Sequence, residues 1–407
     1  MTTRLQELTA FLQSRSLANL AEAAIRYDVA VIGGGPAGAL AARQLALRGV
    51  SVLLVDKAEF PRAKVCGCCL SMRALQALEL AGLGSLAAEL EGTQLRHLLV
   101  GSSGPTLRLE LPAGRAISRE LFDSALAASA IAAGASFLQK TTAYVGTAGD
   151  DNLEIILDAA EVGGRRTVKA SIAVIADGIG GTALHTREKM TPVVRSYSRI
   201  GAAAISERPP EFYTPGTIFM AYGEHGYAGV VRLEDMRADV AAAIDPAFVK
   251  DSGTPAAAVA ALLSGCGWPV PADLSDLNWK GTPALTRKRP SVAAQRIFVI
   301  GDAAGYVEPF TGEGIAWALT SAQAVAPVVL QAVRHWDDSL MWRWEHIYRR
   351  IIRHRQSATK IVTNLLRLPA AARLASDVLK KLPMFAEPLV NFVSGPMDEE
   401  ELEWLRS

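Results

Sequence analysis

The sequence is short of several things, and each shortage narrows what the protein can be. It has four cysteines, Cys66, Cys68, Cys69 and Cys266, and three of them fall within four positions. Cysteines this close cannot build the spaced disulfide framework of a secreted scaffold, so a reduced, cytoplasmic setting is expected. The same run is not a metal pattern either. A tetrahedral zinc site needs four ligands, and no Cys-x-x-Cys partner pair stands elsewhere, so no metal is expected. The net charge is only +1, which gives no electrostatic reason for a nucleic-acid partner. No apolar run reaches about 18 residues, so no membrane-spanning helix is expected. No basic stretch followed by an apolar run and a small-residue cleavage site opens the chain, so no secretory signal is expected. Histidine is sparse as well: His97, His185, His225, His335, His346 and His354 are all there are. Internal repeats and low-complexity tracts are lacking too.

What is present is apolar and ordered in pattern. Half of the 407 residues are hydrophobic and a fifth are charged, enough for a large core and too little charge for global disorder. The length suits a two-part enzyme built around one ligand. Its densest stretch runs from Asp28 to Asp56. Asp28 to Ile32 read as a buried strand, Ala39 to Arg48 as a helix ended by Gly49, and Ser51 to Val55 as a second strand. Between the first strand and the helix, Gly33, Gly35 and Gly38 fall on the G-x-G-x-x-G spacing. The first glycine permits the tight turn, the second lets backbone approach a pyrophosphate, and the third lets helix and strand pack closely. The helix start offers free N–H groups and a positive dipole end to phosphates. Asp56 closes the second strand, where a carboxylate can accept from ribose hydroxyls. The stretch predicts a bound dinucleotide and leaves open whether it is FAD or NAD(P).

Around this unit the chain is expected as follows. Leu5, Leu8, Leu12, Leu17 and Leu20 recur at helical spacing, predicting an amphipathic helix that caps the nucleotide domain, with a membrane anchor as the alternative. A loop over 57–69 leads to a helix over 71–80. Residues 93–111 predict a hairpin, 119–133 a helix, and 135–146, 153–159 and 166–170 a small meander. A buried strand over 172–176 runs into Asp177-Gly178. Strands over 198–206, 216–222, 227–233 and 238–244, then a helix over 254–264, predict a second sheet. A strand over 296–300 returns the chain to the nucleotide domain, which is therefore discontinuous, and helices dominate the rest.

Three patterns together resemble a known family. Beside the opening motif stand Arg119 with Asp123 followed by Asp177-Gly178. Then come Gly301-Asp302-Ala303-Ala304-Gly305 and Pro309 with Gly312-Glu313-Gly314-Ile315. Their order resembles the FAD-dependent oxidoreductases of the para-hydroxybenzoate hydroxylase type, closest to the geranylgeranyl reductase-like branch, in which Cys66-Gly67 would be the Cys-Gly loop. The resemblance covers about residues 28 to 330 and is weak over 184–290, where substrate choice would lie. It implies an α/β fold: a discontinuous Rossmann-type FAD-binding domain, a mixed-sheet substrate domain and C-terminal helices. The expected division is an FAD-binding part over 1–183 and 291–335, a substrate domain over 184–290 and a helical region over 336–407. FAD would lie against Gly33, Gly35, Pro36, Ala37, Gly38, Asp56, Lys57, Cys66, Arg119, Asp177, Gly301, Asp302, Pro309, Gly312, Glu313, Gly314 and Ile315. No second nucleotide fingerprint is visible, so NAD(P)H would dock transiently as reductant.

Each of these residues has a second reading. Asp302 is either the acceptor for a ribityl hydroxyl or an ordinary helix cap. Arg119 lies along FAD or is a surface charge. Cys66 lines the reaction site as a gate or proton donor, or the three cysteines simply pack as small apolar groups. His225 and Tyr227, in the presumed substrate sheet, polarise or protonate a substrate, or belong to a polar turn. The helix opening at Gly312 would stabilise negative charge on a reduced flavin. The C-terminal bases Arg343, Arg349, Arg350, Arg353, Arg355 and Lys360, beside Trp336, Trp342 and Trp344, form either a peripheral membrane patch or the solvated face of a helical lid. Leu368, Leu374, Leu379 and Leu382 predict further helices there.

Two departures bear on the reaction. Aromatic hydroxylases often carry histidine after Gly-Asp-Ala-Ala, where this chain has Gly305. Isoprenoid-saturating reductases carry Tyr-x-Trp-x-Phe-Pro, and the matching zone from Tyr227 to Leu233 lacks the tryptophan, phenylalanine and proline. The sequence is therefore read first as an NAD(P)H-driven monooxygenase of an apolar aromatic or polyketide-like molecule. A flavin-dependent reductase of carbon–carbon double bonds in an isoprenoid or lipid-like substrate is the alternative, and a non-catalytic flavin-binding module is a third.

Overall fold

The computed structural model describes residues 3–159, 164–308, 310, 312–367, 390–391 and 395–406. The chain opens with helix α1 (Thr3–Arg15), strand β1 (Arg26–Ile32), helix α2 (Pro36–Ala46) and strand β2 (Val52–Val55). Strand β3 (Cys69–Ser71), helices α3 (Met72–Leu80) and α4 (Leu86–Glu89), and the hairpin β4 (Thr93–Gly101) and β5 (Leu107–Ala116) follow. Helix α5 (Arg119–Ala132) leads to β6 (Ser136–Leu138), β7 (Thr142–Ala148), β8 (Leu153–Ala159) and β9 (Gly164–Ile175). Next come β10 (Val193–Val194), β11 (Ile200–Ser206), β12 (Thr217–Gly223), β13 (Gly226–Arg232), β14 (Ala238–Ile244), and helices α6 (Pro246–Ser252) and α7 (Pro255–Gly265). The chain then adds β15 (Lys280–Ala284), β16 (Arg287–Lys288), β17 (Ala293–Ala294), β18 (Ile297–Val299) and β19 (Gly305–Tyr306). Helices α8 (Gly314–Arg334), α9 (Ser339–Tyr348), α10 (His354–Leu366) and α11 (Glu399–Arg406) close it.

Two large sheets organise these elements. The first runs β17-β18-β9-β1-β2-β6, with β7 and β8 joined to it through β9. Strand β1 pairs in parallel with both β2 and β9, so Val31 faces Leu54 on one side and Val174 on the other. Both faces of this parallel core are covered, which is why its strands read as continuous apolar runs. Helix α2 packs against β1 and α8, and Leu40, Leu45, Phe122, Leu126, Leu319 and Val325 fill the space between the helices and the sheet. The second sheet runs β15-β11-β14-β13-β12-β4-β5-β3 and is antiparallel except where β12 pairs with β4. Strict alternation gives it two distinct faces. Phe219, Ala221, Val230, Val240 and Ala242 point outward under Val259 and Leu263 of α7. Met220, Tyr227 and Ala243 point inward with Phe310.

Three sequence expectations change in the fold. The strands expected at 166–170 and 172–176 are one continuous strand, β9. Its first half pairs with β8 and its second half with β18. The 93–111 hairpin, expected with the nucleotide part, belongs to the second sheet through the β4–β12 pairing. Local alternation shows that a segment is a strand and says nothing of its distant partner. Helix α8 is also apolar and long enough to cross a membrane, although it is not an uninterrupted apolar run. It is instead the core helix of the first part, with Trp317, Leu319, Ala322, Val325 and Val328 buried. The expected N-terminal helix is present, and Leu5 and Leu12 bury its inner face next to α5. In the C-terminal helices, Arg350 pairs with Glu400, and Arg355 reaches Asp398 and Glu401, whereas Trp342 is 77% exposed. Pro309 and the leucines 368, 374, 379 and 382 lie outside the described residues.

Candidate functional site

The glycines of the opening motif are required by close approach. Gly33 has φ +109°, and a Cβ there would stand 2.3 Å from the Ala176 carbonyl oxygen. A Cβ on Gly38 would stand 1.8 Å from the Gly33 carbonyl oxygen. Both positions therefore lock the turn and the helix against the sheet. Gly35 differs: its Cβ would meet only the Arg62 guanidinium, at 3.4 Å. That space is open toward whatever lies over the start of α2, where Pro36, Ala37 and Gly38 form the first turn and its N–H groups lack helical partners. Asp56 is buried at the end of β2 and accepts from the Gly34 and Ala58 N–H groups at 2.7 and 2.8 Å. Much of its carboxylate is thus spent on shaping the turn. Lys57 beside it is exposed.

The loop after β2 brings charges that the sequence reading passed over. Arg62 bridges Asp56 at 3.5 Å and Asp123 at 3.2 Å, and its Nε is buried without a partner. Arg119 clamps Asp123 through two hydrogen bonds of 2.8 Å across one turn of α5. Burial would lower the Arg119 pKa, but the Asp123 carboxylate and the Cys66 sulfur outweigh it and raise it further. Lys64 is lowered by burial and by the like charges of Arg62 and Arg119. These three cations converge on the mouth of the glycine turn. Only Arg119 carried a sequence signal. Arg62 and Lys64 sit in a loop whose path no periodicity announces.

The second half of the site arrives more than 250 residues later. Gly301 has φ +58°, its N–H donates to Ser321 Oγ at 3.0 Å, and a Cβ there would stand 2.8 Å from the Ala37 side chain. The loop therefore presses directly on the start of α2. Asp302 follows, half-buried, and no side-chain hydrogen bond consumes its carboxylate among the described residues. Burial pushes its pKa up to about 6, against the pull of Lys64 and Arg119. Gly312, at φ +75°, then turns the chain into α8, with the buried Glu313 at its N-terminal boundary and Gly314 and Ile315 in its first turn. On the other side, Asp177 accepts from the Ala183 N–H at 2.9 Å while its Oδ1 is buried without a partner. Lys64 Nζ lies 3.3 Å from where a Gly178 Cβ would be, which brings the Asp177-Gly178 turn to the same cations.

Cys66 lies among these groups. Its thiol is held down to about 5, first by a hydrogen bond from Cys68 and then by the Arg119 charge, against the opposing effect of burial. Cys68 is displaced upward as its partner.

Above these groups lies the inner face of the second sheet. Tyr227 is buried there, edge-on to Phe310 at 5.1 Å between ring centroids. Met220, Ala243 and Leu285 are buried beside it, with Leu98, Ile218 and Tyr306 packed around them. Burial and the Glu308 carboxylate push the Tyr227 pKa up, so its hydroxyl keeps its proton. His225 is not part of this face. It is exposed in the β12–β13 turn and stacks on Phe248 of α6 at 4.8 Å, the place expected for a polar turn residue. A buried ion cluster braces the loop from behind. Glu308 lies between Arg199 at 3.1 Å and Arg367 at 3.0 Å, and Gln356 and Thr363 of α10 donate to the Gly305 and Glu308 carbonyl oxygens. Neither Arg199 nor Glu308 belongs to any short motif, so sequence inspection could not single them out.

The arrangement fits FAD. An orphaned arginine donor and a bare helix start suit a diphosphate. A partnerless carboxylate at Asp302 suits a hydroxyl-bearing linker. The start of α8 suits the electron-rich edge of a flavin ring.

The comparisons agree. The FAD binding domain family model matches residues 26–354. Over 336 residues the chain is 30% identical to digeranylgeranylglycerophospholipid reductase 1 of Methanothermobacter thermautotrophicus, covering 76% of this chain and 78% of that protein. It is 26% identical to the menaquinone reductase of Mycolicibacterium smegmatis over 93% of this chain and 94% of that one. Among solved structures, a geranylgeranyl bacteriochlorophyll reductase-like protein from Thermoplasma acidophilum superposes with a TM-score of 0.72 at 20% identity, covering 93% and 95% of the two chains.

Proposed function

Starting from the chain's membership of the FAD binding domain family, as an FAD-dependent oxidoreductase, we propose that it saturates carbon–carbon double bonds of an isoprenoid, lipid-like substrate. The observation that carries this is the inner face of the second sheet. Met220, Tyr227, Ala243, Leu285 and Phe310 form a contiguous apolar cluster there, with Tyr306 packed against it. All five are buried against one another, so a hydrocarbon chain seated here would take over contacts that these side chains now make among themselves, each Å² of apolar surface kept from water being worth roughly 25 cal/mol. Two of the relatives are named as reductases of a digeranylgeranylglycerophospholipid and of menaquinone, which supports the same reading.

In this reading each residue has a limited task. Gly35, Arg62 and the first turn of α2 hold the diphosphate, and Asp302 holds the linker. Arg119 and Lys64 place positive charge along the cofactor, and the start of α8 favours negative charge on the flavin ring. When bound and reduced by NAD(P)H, FAD would supply the hydride. Saturation also needs a proton at the second carbon. Cys66, its thiol lowered beside Cys68 and Arg119, relays that proton, while Tyr227 and Tyr306 stay protonated and orient the chain.

The test is anaerobic. Photoreduced holoenzyme is mixed without oxygen with a geranylgeranyl lipid or a menaquinone, and the flavin absorbance is followed. Return of the oxidised spectrum in proportion to added alkene is expected. A spectrum that stays bleached until air enters contradicts the proposal. That outcome favours the second reading, oxygen insertion into an aromatic substrate, for which the missing Tyr-x-Trp-x-Phe-Pro stretch is the motivating observation.

A further inference from the structure

We propose that Cys66-Gly67-Cys68 is a redox-active dithiol that small anionic disulfides of the glutathione type oxidise to an internal bridge. The chemistry concerns these side chains alone and stands whether or not the reduction proposed above is correct.

The geometry comes first. Cys68 has φ +54°, a left-handed conformation that a non-glycine residue adopts only when its surroundings hold it there. The bend folds the two cysteines toward one another. The Cys68 N–H donates to Cys66 Sγ at 3.4 Å, and the Cys68 thiol donates to the Cys66 carbonyl oxygen at 3.9 Å. Residues two apart in a tight turn fall within the Cα spacing of about 7 Å that a disulfide can span. Cys69 is turned another way, with its thiol donating to the Gly67 carbonyl oxygen at 2.9 Å.

The surroundings divide the two roles. Cys66 is partly exposed and Arg119 stabilises its thiolate, the form that attacks a disulfide. Cys68 is buried and keeps its proton, as a resolving thiol does until a mixed disulfide forms beside it. The groups that face the pair are Arg119, Asp302 and Asp239. Asp239 is 2% exposed on the inner face of β14, with the Cys68 thiol toward its carboxylate. Cys66 is open to solvent on its own partly exposed side. A small cleft lined by Lys64, Cys68, Arg119, Glu120, Asp239 and Lys280 lies on the Cys68 side of the loop. The exposed Lys64, two residues before Cys66, favours an anionic oxidant.

The steps balance. Cys66 thiolate attacks one sulfur of the small disulfide, forming a mixed disulfide and releasing one thiolate. Cys68 then attacks the Cys66 sulfur, the internal bridge closes, and a second small thiol leaves with the Cys68 proton. Two protein thiols are oxidised and one external disulfide is reduced.

The experiment uses the holoprotein, incubated with oxidised glutathione, quenched in acid, alkylated and mapped by peptide mass. The expected result is a peptide two hydrogens lighter with a Cys66–Cys68 bridge, restored by a phosphine reductant. Cys68→Ser should trap glutathione on Cys66, and Cys69→Ser should still close the bridge. Three alkylated thiols after full oxidation, a bridge that uses Cys69, or glutathione found on Cys69 alone would each overturn the proposal. The wild-type map decides the matter even if a variant fails to fold.

Discussion

The two sheets of this molecule do different jobs by different means. The parallel sheet makes its site mostly from backbone: turns at Gly33, Gly301 and Gly312, two helix starts, and a few charges set around them. The mixed sheet makes its site from side chains, with Met220, Tyr227 and Ala243 reaching inward from three neighbouring strands. A backbone site tolerates few substitutions and little variation in spacing, because a Cβ in the wrong place meets a carbonyl oxygen. A side-chain site can be repacked while the fold stands. The first kind of site fits one cofactor, and the second can be fitted to many substrates.

The sharpest way to break this contrast lies within one motif. Gly38→Val places a Cβ where only 1.8 Å separates it from the Gly33 carbonyl oxygen. It should cost more than about 4 kcal/mol and leave little folded protein, as soluble yield and thermal unfolding would report. Gly35→Val, three residues earlier, meets only a guanidinium at 3.4 Å. It should fold with an unchanged melting temperature and lose FAD at least about tenfold, because the side chain enters the diphosphate space. Equal damage from both changes would mean that the middle glycine serves packing and not the cofactor.

Asp302 sharpens the comparison from the other end of the cofactor. Asp302→Ala should weaken FAD retention by roughly tenfold, the worth of one hydrogen bond to a charged group. The same residue gives a pH signature in protein stripped of FAD. Its folded pKa is about 6 against an ordinary 3.8, so between these values the folded state binds more protons than the unfolded one. Stability therefore falls as pH rises through this window and levels off above it. Denaturant midpoints should show that fall in the wild type, and Asp302→Asn should flatten it.

On the substrate side the effects should be smaller. Tyr227→Phe keeps the ring that packs on Phe310 and removes only the hydroxyl. FAD retention should be unchanged, and turnover of an isoprenoid substrate should drop by less than about tenfold. Smallest of all is Arg350→Ala. The Arg350–Glu400 pair is half exposed on both sides, and breaking it should cost under about 0.5 kcal/mol in thermal unfolding.

The same contrast explains what the sequence disclosed. The cradle was legible because backbone sites impose spacing: Gly33, Gly35 and Gly38 in the first segment, and Gly301 with Gly312 and Gly314 in the last. The second sheet was legible as strands but not as a partner map, since the alternation in β4 and β5 does not say that β12 lies beside them. Arg62 and Lys64 were missed because a loop has no period to read. Glu308 and Arg199 were missed because their meaning lies in a contact between residues 109 apart in sequence. Cys68 drew notice only as a neighbour of Cys66. Its role depends on a left-handed turn, and nothing in the Cys-Gly-Cys-Cys run predicts which thiol folds back.

The most direct test of the central claim is the mass of the product formed from a polyprenyl lipid by the FAD-loaded enzyme with NAD(P)H under strict exclusion of oxygen. Hydride and proton addition across a double bond predicts a gain of two hydrogens per saturated unit, and admitting oxygen should not be required. A substrate recovered unchanged without oxygen, and carrying one added oxygen atom when air is present, would contradict the account.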